Sequence, residues 1–465
     1  MTSILVTTAI SYPNDKPHIG HMYEAILADI ETRKYIINGC DAKLLTGTDE
    51  HGKKIQQKAE SQSITPKELC DINSQLFKDL LNNLQVKYDR FIRTTDVDHL
   101  LNVESSIESI PEHVQLGLYE GYYNVREETF ISKSDAIKTD FKDPVTNIPY
   151  EEREEICYMF KLSNFKDYIV ENLDKVHGFD TKEFKERLDK LEDLSITRVS
   201  LPSFNWGIKF PFNDKHIVYV WFDALLNYIT GFKSLYSDTE NVRSIHVIGK
   251  DIVWFHSVIY PAILKACKYP IYDKILVHGF ITDENGLKMS KSLGNVIDPN
   301  YLLSKYSIES IRFYLFLETN NGNDIKFSET RLVECYNNIL CDGFYNLFNR
   351  IYNLISRVSD YPFIDISIQC DFEVTSNKLI SSINNLNTMI SRVKPWTKTG
   401  EDLKECLITI GEFFFEILVI MSVIIPDKIK ELNSHLGFVI PGIKYDHPVI
   451  YEFKSKMKFF EKIKV

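Results

Sequence analysis

The chain has 465 residues, 44% apolar and 26% charged, a composition that excludes a disordered protein and suits two to four domains of roughly 150 residues each. Its 54 basic and 65 acidic side chains give a net charge of −11, which argues against a protein that coats itself in nucleic acid. Residues 331–465 balance at 16 basic and 16 acidic, so a polyanion would be met by the C-terminal third or by local patches.

Residues 4–9 read as a short strand. A helix follows over 22–37, with apolar residues at 22, 26, 27 and 30, and residues 42–47 read as a second strand. Helices over 51–62 and 66–84 precede a strand at 90–93. This alternation predicts an α/β fold with a parallel, doubly wound sheet and ligands at the carboxyl ends of its strands. From 120 to 160 the pattern breaks into short strand-like pieces rich in Lys, Asp and Glu, as expected of an inserted module. The α/β pattern resumes near Val218, with a helix over 220–235 and strands at 245–248 and 274–277. Beyond about residue 330 the chain reads as helical, punctuated by Pro395 and Pro426. The apolar run 413–425 is short and broken by Glu416 and Pro426, so no membrane span is expected. The N-terminus lacks the basic region and cleavage site of a secretory signal. The eight cysteines form no Cys-x-x-Cys pair, which points to a reduced, cytoplasmic protein.

Two segments carry chemistry. Pro17-His18-Ile19-Gly20-His21 follows the first strand and opens the first helix. Histidines three apart share a helix face, Pro17 suits the first helical turn, and Gly20 admits a ligand close to the backbone. A helix N-terminus favours an anion, and imidazoles there donate hydrogen bonds to phosphate oxygens as charge develops. A metal pair or two surface histidines fit the same four letters. The second segment, Gly286-Leu287-Lys288-Met289-Ser290-Lys291-Ser292-Leu293-Gly294, sets two lysines on a glycine-flanked loop. Such a loop is usually solvated surface. Paired with the histidines 270 residues away, it points to a loop that closes over a pyrophosphate leaving group.

His18-Ile-Gly-His21 and Lys288-Met-Ser-Lys-Ser292 resemble the two signatures of the class I aminoacyl-tRNA synthetases. The 270 residues between them leave no room for the editing domain of the leucine, isoleucine and valine enzymes. Further segments resemble the methionyl-tRNA synthetases: Ala9-Ile-Ser-Tyr12-Pro-Asn14, Thr46-Gly-Thr-Asp49-Glu-His-Gly52, Val220-Trp221-Phe-Asp223-Ala224-Leu-Leu-Asn-Tyr228, Gly249-Lys-Asp251-Ile252-Val-Trp-Phe-His256 and Lys394-Pro395-Trp396. The likeness runs from residue 4 to at least 430. It implies a Rossmann-like catalytic domain in two halves, 1–117 and 217–282, around a connective insertion at 118–216. A loop and stem-contact linker at 283–330 and an all-α anticodon-binding bundle at 331–465 would follow. The implied activity is ATP-dependent activation of methionine to methionyl-adenylate, with Mg²⁺, and transfer to tRNA(Met).

The same resemblance implies the site residues. His18, His21, Lys288 and Lys291 would act on the ATP phosphates as catalytic groups, with Gly20, Ser290 and Asn14 beside them. Gly249 and Asp251 would hold the ribose, and backbone near Ile281 the adenine. Methionine offers an apolar stem and a soft, weakly accepting sulfur, so an aromatic slot with one donor is expected. Asp49 would take the ammonium group with backbone near Ala9 and Ile10. Tyr12, Trp221, Ala224, Ile252 and His256 would wall the side chain, and the Tyr228 hydroxyl would reach the sulfur. Leu225 stands where many relatives have proline. Arg198 matches an arginine that bridges insertion and active site. The insertion resembles a zinc knuckle without its cysteine pairs, so no structural zinc is expected. Asn346 and Arg350, four apart on one helix face, and Trp396 would read the anticodon. A monomer is expected. Another class I specificity, or a non-catalytic tRNA-binding paralogue, are the competing readings.

Overall fold

Ser3–Thr8 (β1), buried from its second residue onward, is the middle of a parallel sheet, as a continuous apolar run requires. The computed structural model describes residues 2–124, 129–131, 133–144, 147–237, 241–289, 294–319, 322–358, 373–433 and 459–463. From β1 the chain passes through Ile19–Ile37 (α1) to Asp41–Thr48 (β2). It continues through Lys53–Ser61 (α2) and Pro66–Asn83 (α3) to Arg90–Arg93 (β3) and then Val97–Glu108 (α4). Two later strands, Val242–Gly249 (β4) and Lys274–His278 (β5), extend the sheet on the other side of β1. The order is β3-β2-β1-β4-β5, closed at the edge by Val176–His177, and every pairing is parallel. Successive strands run away from β1 in one direction and from β4 in the other. The loops leaving these two neighbours therefore diverge and open a crevice at their carboxyl ends.

The insertion differs from its sequence reading. Val114–Asn124 and Glu151–Phe160 are single strands of 11 and 10 residues, paired antiparallel without a break. Their exposed positions carry Leu116, Leu118 and Ile156 as well as acids, so no apolar-polar alternation marks them. Val176–His177, inside the interval assigned to the insertion, belongs to the central sheet; two residues carry no periodicity. The helix expected over 220–235 is two, Val220–Leu225 (α5) and Asn227–Leu235 (α6), which meet at Leu226.

Past the sheet come Ile308–Glu318 (α7), Asn346–Ile355 (α8), Ser376–Val393 (α9) and Gly400–Ile424 (α10). Helix α10 runs 25 residues and, by length and composition alone, passes for a membrane span, contrary to the expectation from its interrupted apolar run. Glu416 does not break it, since glutamate is a good helix former, and Lys378 of α9 meets its carboxylate at 2.8 Å. Most of its apolar stretch, 72%, is buried within the protein. One apolar cluster joins Met22 and Ile26 of α1, Phe313 of α7 and Ile420 and Ile424 of α10, so the bundle and the sheet domain share a core. At that junction Arg312, fully buried, donates to the Asp29 carboxylate of α1 at 2.6 Å, the Leu84 carbonyl at 3.1 Å and the Ile424 carbonyl at 2.6 Å. The last of these contacts satisfies an orphan carbonyl at the end of α10.

Candidate active site

The crevice holds a cavity of about 480 Å³. At its floor, the chain leaving β1 turns through Ala9, Ile10 and Tyr12 and enters α1 at His18. His18 is the N-cap rather than a helical residue, and Pro17 precedes it, so the first helical position belongs to Ile19. The His18 Nδ1 accepts the Gly20 N–H at 3.1 Å, and the His21 Nδ1 accepts the His18 N–H at 3.1 Å. The rings stack at 3.9 Å. With each Nδ1 accepting, a neutral ring carries its proton on Nε2, which makes both imidazoles donors. Burial, then the neighbouring His18, holds His21 well below its ordinary pKa, so it donates as a neutral group. A Cβ on Gly20 would lie 2.9 Å from the His18 ring. An added methyl group here would therefore have to displace the capping ring.

On one side lies an aromatic slot. Trp221 of α5 stacks on Phe255 at 3.8 Å and meets the His256 ring edge-on at 6.4 Å. Ala224, Leu225, Tyr228 and Ile252 complete the wall, and Asp49, just past β2, lines the same cavity. His256 Nδ1 donates to the Ile252 carbonyl at 2.9 Å, and burial pushes its pKa down to about 4. Its Nε2 is therefore a bare acceptor, and the Tyr228 hydroxyl, 2.8 Å away, donates to it. That direction differs from the expected donor to sulfur: in this arrangement the hydroxyl hydrogen is directed at His256.

On the other side, Gly249 ends β4 and Asp251 follows. A Cβ on Gly249 would lie 2.8 Å from the Asp251 carboxylate. Ile281 lines the cavity beside Phe280, whose ring lies 4.1 Å from Lys288 Nζ and 4.6 Å from Lys250 Nζ. Lys250 also pairs with Asp324 at 2.6 Å. The base of the lysine loop is held by Asp283, whose carboxylate accepts the N–H groups of Asn285 and Leu287 and the Asn295 amide. Gly286 supplies the left-handed turn there at φ +80°.

Ser290 and Lys291 lie outside the described residues. Asn14 sits in the turn before His18 and is not among the residues lining the cavity. Arg198 does not reach the cavity either. It is buried, donates to the Thr197 carbonyl at 2.8 Å and lies over the Tyr219 ring at 4.2 Å. Asn346 and Arg350 lie on α8, where Arg350 donates to Asn387 of α9 at 2.9 Å. Trp396, 49% exposed, follows α9 on a turn that Lys394 enters in the left-handed region, φ +50°. Sequence reading missed Glu24, His278, Lys54 and Phe280, all on the cavity wall. Glu24 lies one turn beyond His21 and meets His278, the last residue of β5, at 3.1 Å. Helical spacing and the rule that ligands sit at strand carboxyl ends pointed to both. Among the described residues no three His, Cys, Asp or Glu form a metal cluster, and burial raises the Cys157 thiol above its ordinary pKa, which disfavours a thiolate ligand.

Fold and site define a nucleotide-using α/β enzyme domain whose cavity carries imidazole and ammonium groups beside an aromatic slot. A family model described as tRNA synthetases class I (M) matches residues 4–140 and 136–352. The methionine–tRNA ligase of Rickettsia felis is 34% identical over 93% of the chain and 91% of the relative, and that of Thermotoga maritima is 34% identical over 93% and 75%. The Mycobacterium tuberculosis methionyl-tRNA synthetase in complex with methionyl-adenylate superposes with a TM-score of 0.81 at 29% identity, covering 94% of both chains. The chain belongs to the methionyl-tRNA synthetase family of class I tRNA synthetases.

Proposed function

We propose that the protein activates methionine with MgATP and transfers it from the adenylate to tRNA(Met). The observation that carries this reading is that His18, His21 and Lys288 share one cavity with Asp49 and the Trp221–Tyr228 slot. In that arrangement Asp49 takes the substrate ammonium group and the aromatic wall takes the apolar stem. The methionine carboxylate then attacks the α-phosphorus in line, and pyrophosphate leaves toward the histidine and lysine end. No protein nucleophile takes part, so orientation and charge stabilisation supply the rate. The two imidazoles offer N–H donors that strengthen as charge grows on the departing oxygens, and Lys288 adds a point charge. Gly249 and Asp251 receive the ribose and backbone near Ile281 the adenine. Mg²⁺ enters with ATP, held by phosphates and water. Lys291, Ser290 and Asn14 are assigned to the phosphates on the family pattern alone.

In the same reading the chain divides into catalytic halves at 1–117 and 217–282, an insertion folded without zinc at 118–216 that lends Val176–His177 to the catalytic sheet, a linker at 283–330 and an anticodon-reading bundle at 331–465. Exposure of Trp396 favours stacking on an unpaired base. A reducing, cytoplasmic location fits the seven free thiols among the described residues. The test is ATP–pyrophosphate exchange across the amino acids. Exchange that depends on methionine is the expected result, and exchange with a different amino acid, or with none, defeats the reading.

A further inference from the structure

Beneath the slot, and outside its lining, lies a buried polar group that the reaction does not use. Asp223 sits on α5 between Trp221 and Ala224, on the face turned away from the cavity, and is 1% exposed. One carboxylate oxygen meets His51 Nδ1 at 2.7 Å and the other meets His99 Nε2 at 2.7 Å. His51 is two residues beyond Asp49, on the loop after β2. His99, on α4, reaches Thr230 Oγ1 of α6 through its other nitrogen at 3.0 Å, and Asn102 donates to the same hydroxyl at 3.0 Å. Thr230 stands two residues past Tyr228.

An apolar side chain would fill this position without the desolvation that a buried carboxylate suffers. What the carboxylate does that an apolar group cannot is bind two partners in fixed directions. With His99 as relay, the chain of contacts runs from the loop bearing Asp49, through the helix bearing Trp221 and Ala224, to the helix bearing Tyr228. Those are the ammonium end, the wall and the sulfur end of the slot. We propose that Asp223, clamped between His51 and His99, is a positioning residue that sets the distance between the two ends of the methionine slot and so its selectivity for side-chain length. The proposal rests on the methionine-activating reading. It adds a determinant of specificity that touches no substrate.

The test uses the full chain in ATP–pyrophosphate exchange. In Asp223→Asn, one ring N–H meets an amide N–H in place of an acceptor. The KM for methionine should rise about tenfold to a hundredfold, the range for losing a hydrogen bond to a charged group. The KM for ATP should stay within about twofold, since the nucleotide side shares none of these contacts. Discrimination between methionine and ethionine, one methylene longer, should narrow. His99→Leu should act in the same direction, and His99→Gln, whose amide N–H can replace the Nε2 donor, should recover most of the loss. If Asp223→Asn does not fold, the His99 pair decides. Methionine and ATP constants that rise together, unchanged discrimination, or a glutamine no better than leucine would overturn the proposal. Loss of methionine dependence in the unsubstituted protein would instead overturn the functional reading, and this proposal with it.

Discussion

Replacing Arg312 with methionine removes a cation that ties three parts of the chain together. Methionine keeps most of the arginine stem, so the main loss is the guanidinium charge with its hydrogen bonds, beside a small void. Asp29 keeps Arg33 Nε at 2.8 Å and the Lys87 N–H at 3.1 Å, so its carboxylate is not wholly stranded. Breaking a buried pair costs about 3–5 kcal/mol, and the remaining partners place this one near the lower end. The Leu84 and Ile424 carbonyls lose their Arg312 donor at about 1 kcal/mol each, for a total of about 5 kcal/mol. The assay is urea unfolding followed by intrinsic fluorescence at neutral pH. Asp29→Leu with Arg312→Met removes both charges, and the double substitution should cost clearly less than the sum of the singles. Burial pushes the Asp29 carboxyl up, but Arg312 and Arg33 together hold it below its ordinary range. Its contribution is therefore complete above the unfolded carboxylate pKa and is lost as the pH falls through the folded value. Arg312→Met should move acid unfolding to higher pH. A single-variant cost under about 1 kcal/mol, or strict additivity in the cycle, would refute the reasoning.

Gly20→Ala places a methyl group against the His18 ring and should lower kcat for pyrophosphate exchange by at least about tenfold, with unfolding midpoints little changed; an unaltered kcat would show that the His18 cap is dispensable. Tyr228→Phe leaves His256 Nε2 without its donor inside the slot and should raise the KM for methionine about tenfold at constant KM for ATP, as steady-state exchange would read. Trp396→Ala should abolish charging of tRNA(Met) while sparing pyrophosphate exchange; equal losses in both assays would remove the residue from the anticodon site. Burial pushes the folded His256 pKa down to about 4 from its ordinary 6.5, so the unfolded chain binds the extra proton between those values and stability falls as the pH drops through that window. His256→Gln should flatten the pH dependence of the urea midpoint there, and an identical slope would contradict the assigned burial.

Short-range patterns carried much of the fold. The strand-like runs at 4–9 and 42–47 and the helix between them were legible because strand and helix periods are local properties of consecutive residues. The antiparallel strands of the insertion were not legible, since a sheet solvated over much of both faces leaves no alternation in the sequence. The break at Leu226 and the edge strand Val176–His177 also depended on neighbours far along the chain. At the site, the histidine and lysine segments stood out for their residue types, and family likeness supplied partners for Asp49 and Trp221. Glu24 and His278 were ordinary letters until the fold set them 3.1 Å apart, and Asp223 became a clamp only when α4 and the loop after β2 closed around it.

By itself the sequence determined which groups the protein brings to its chemistry: imidazoles, ammonium groups, a carboxylate and an aromatic stripe. Tertiary structure alone decided how those groups are used. Which ring nitrogen carries the proton, which way the Tyr228 hydroxyl points, and whether α10 spans or packs all follow from partners met across the fold. Hydrogen-bond direction and burial are properties of surroundings, and surroundings form only when distant segments meet.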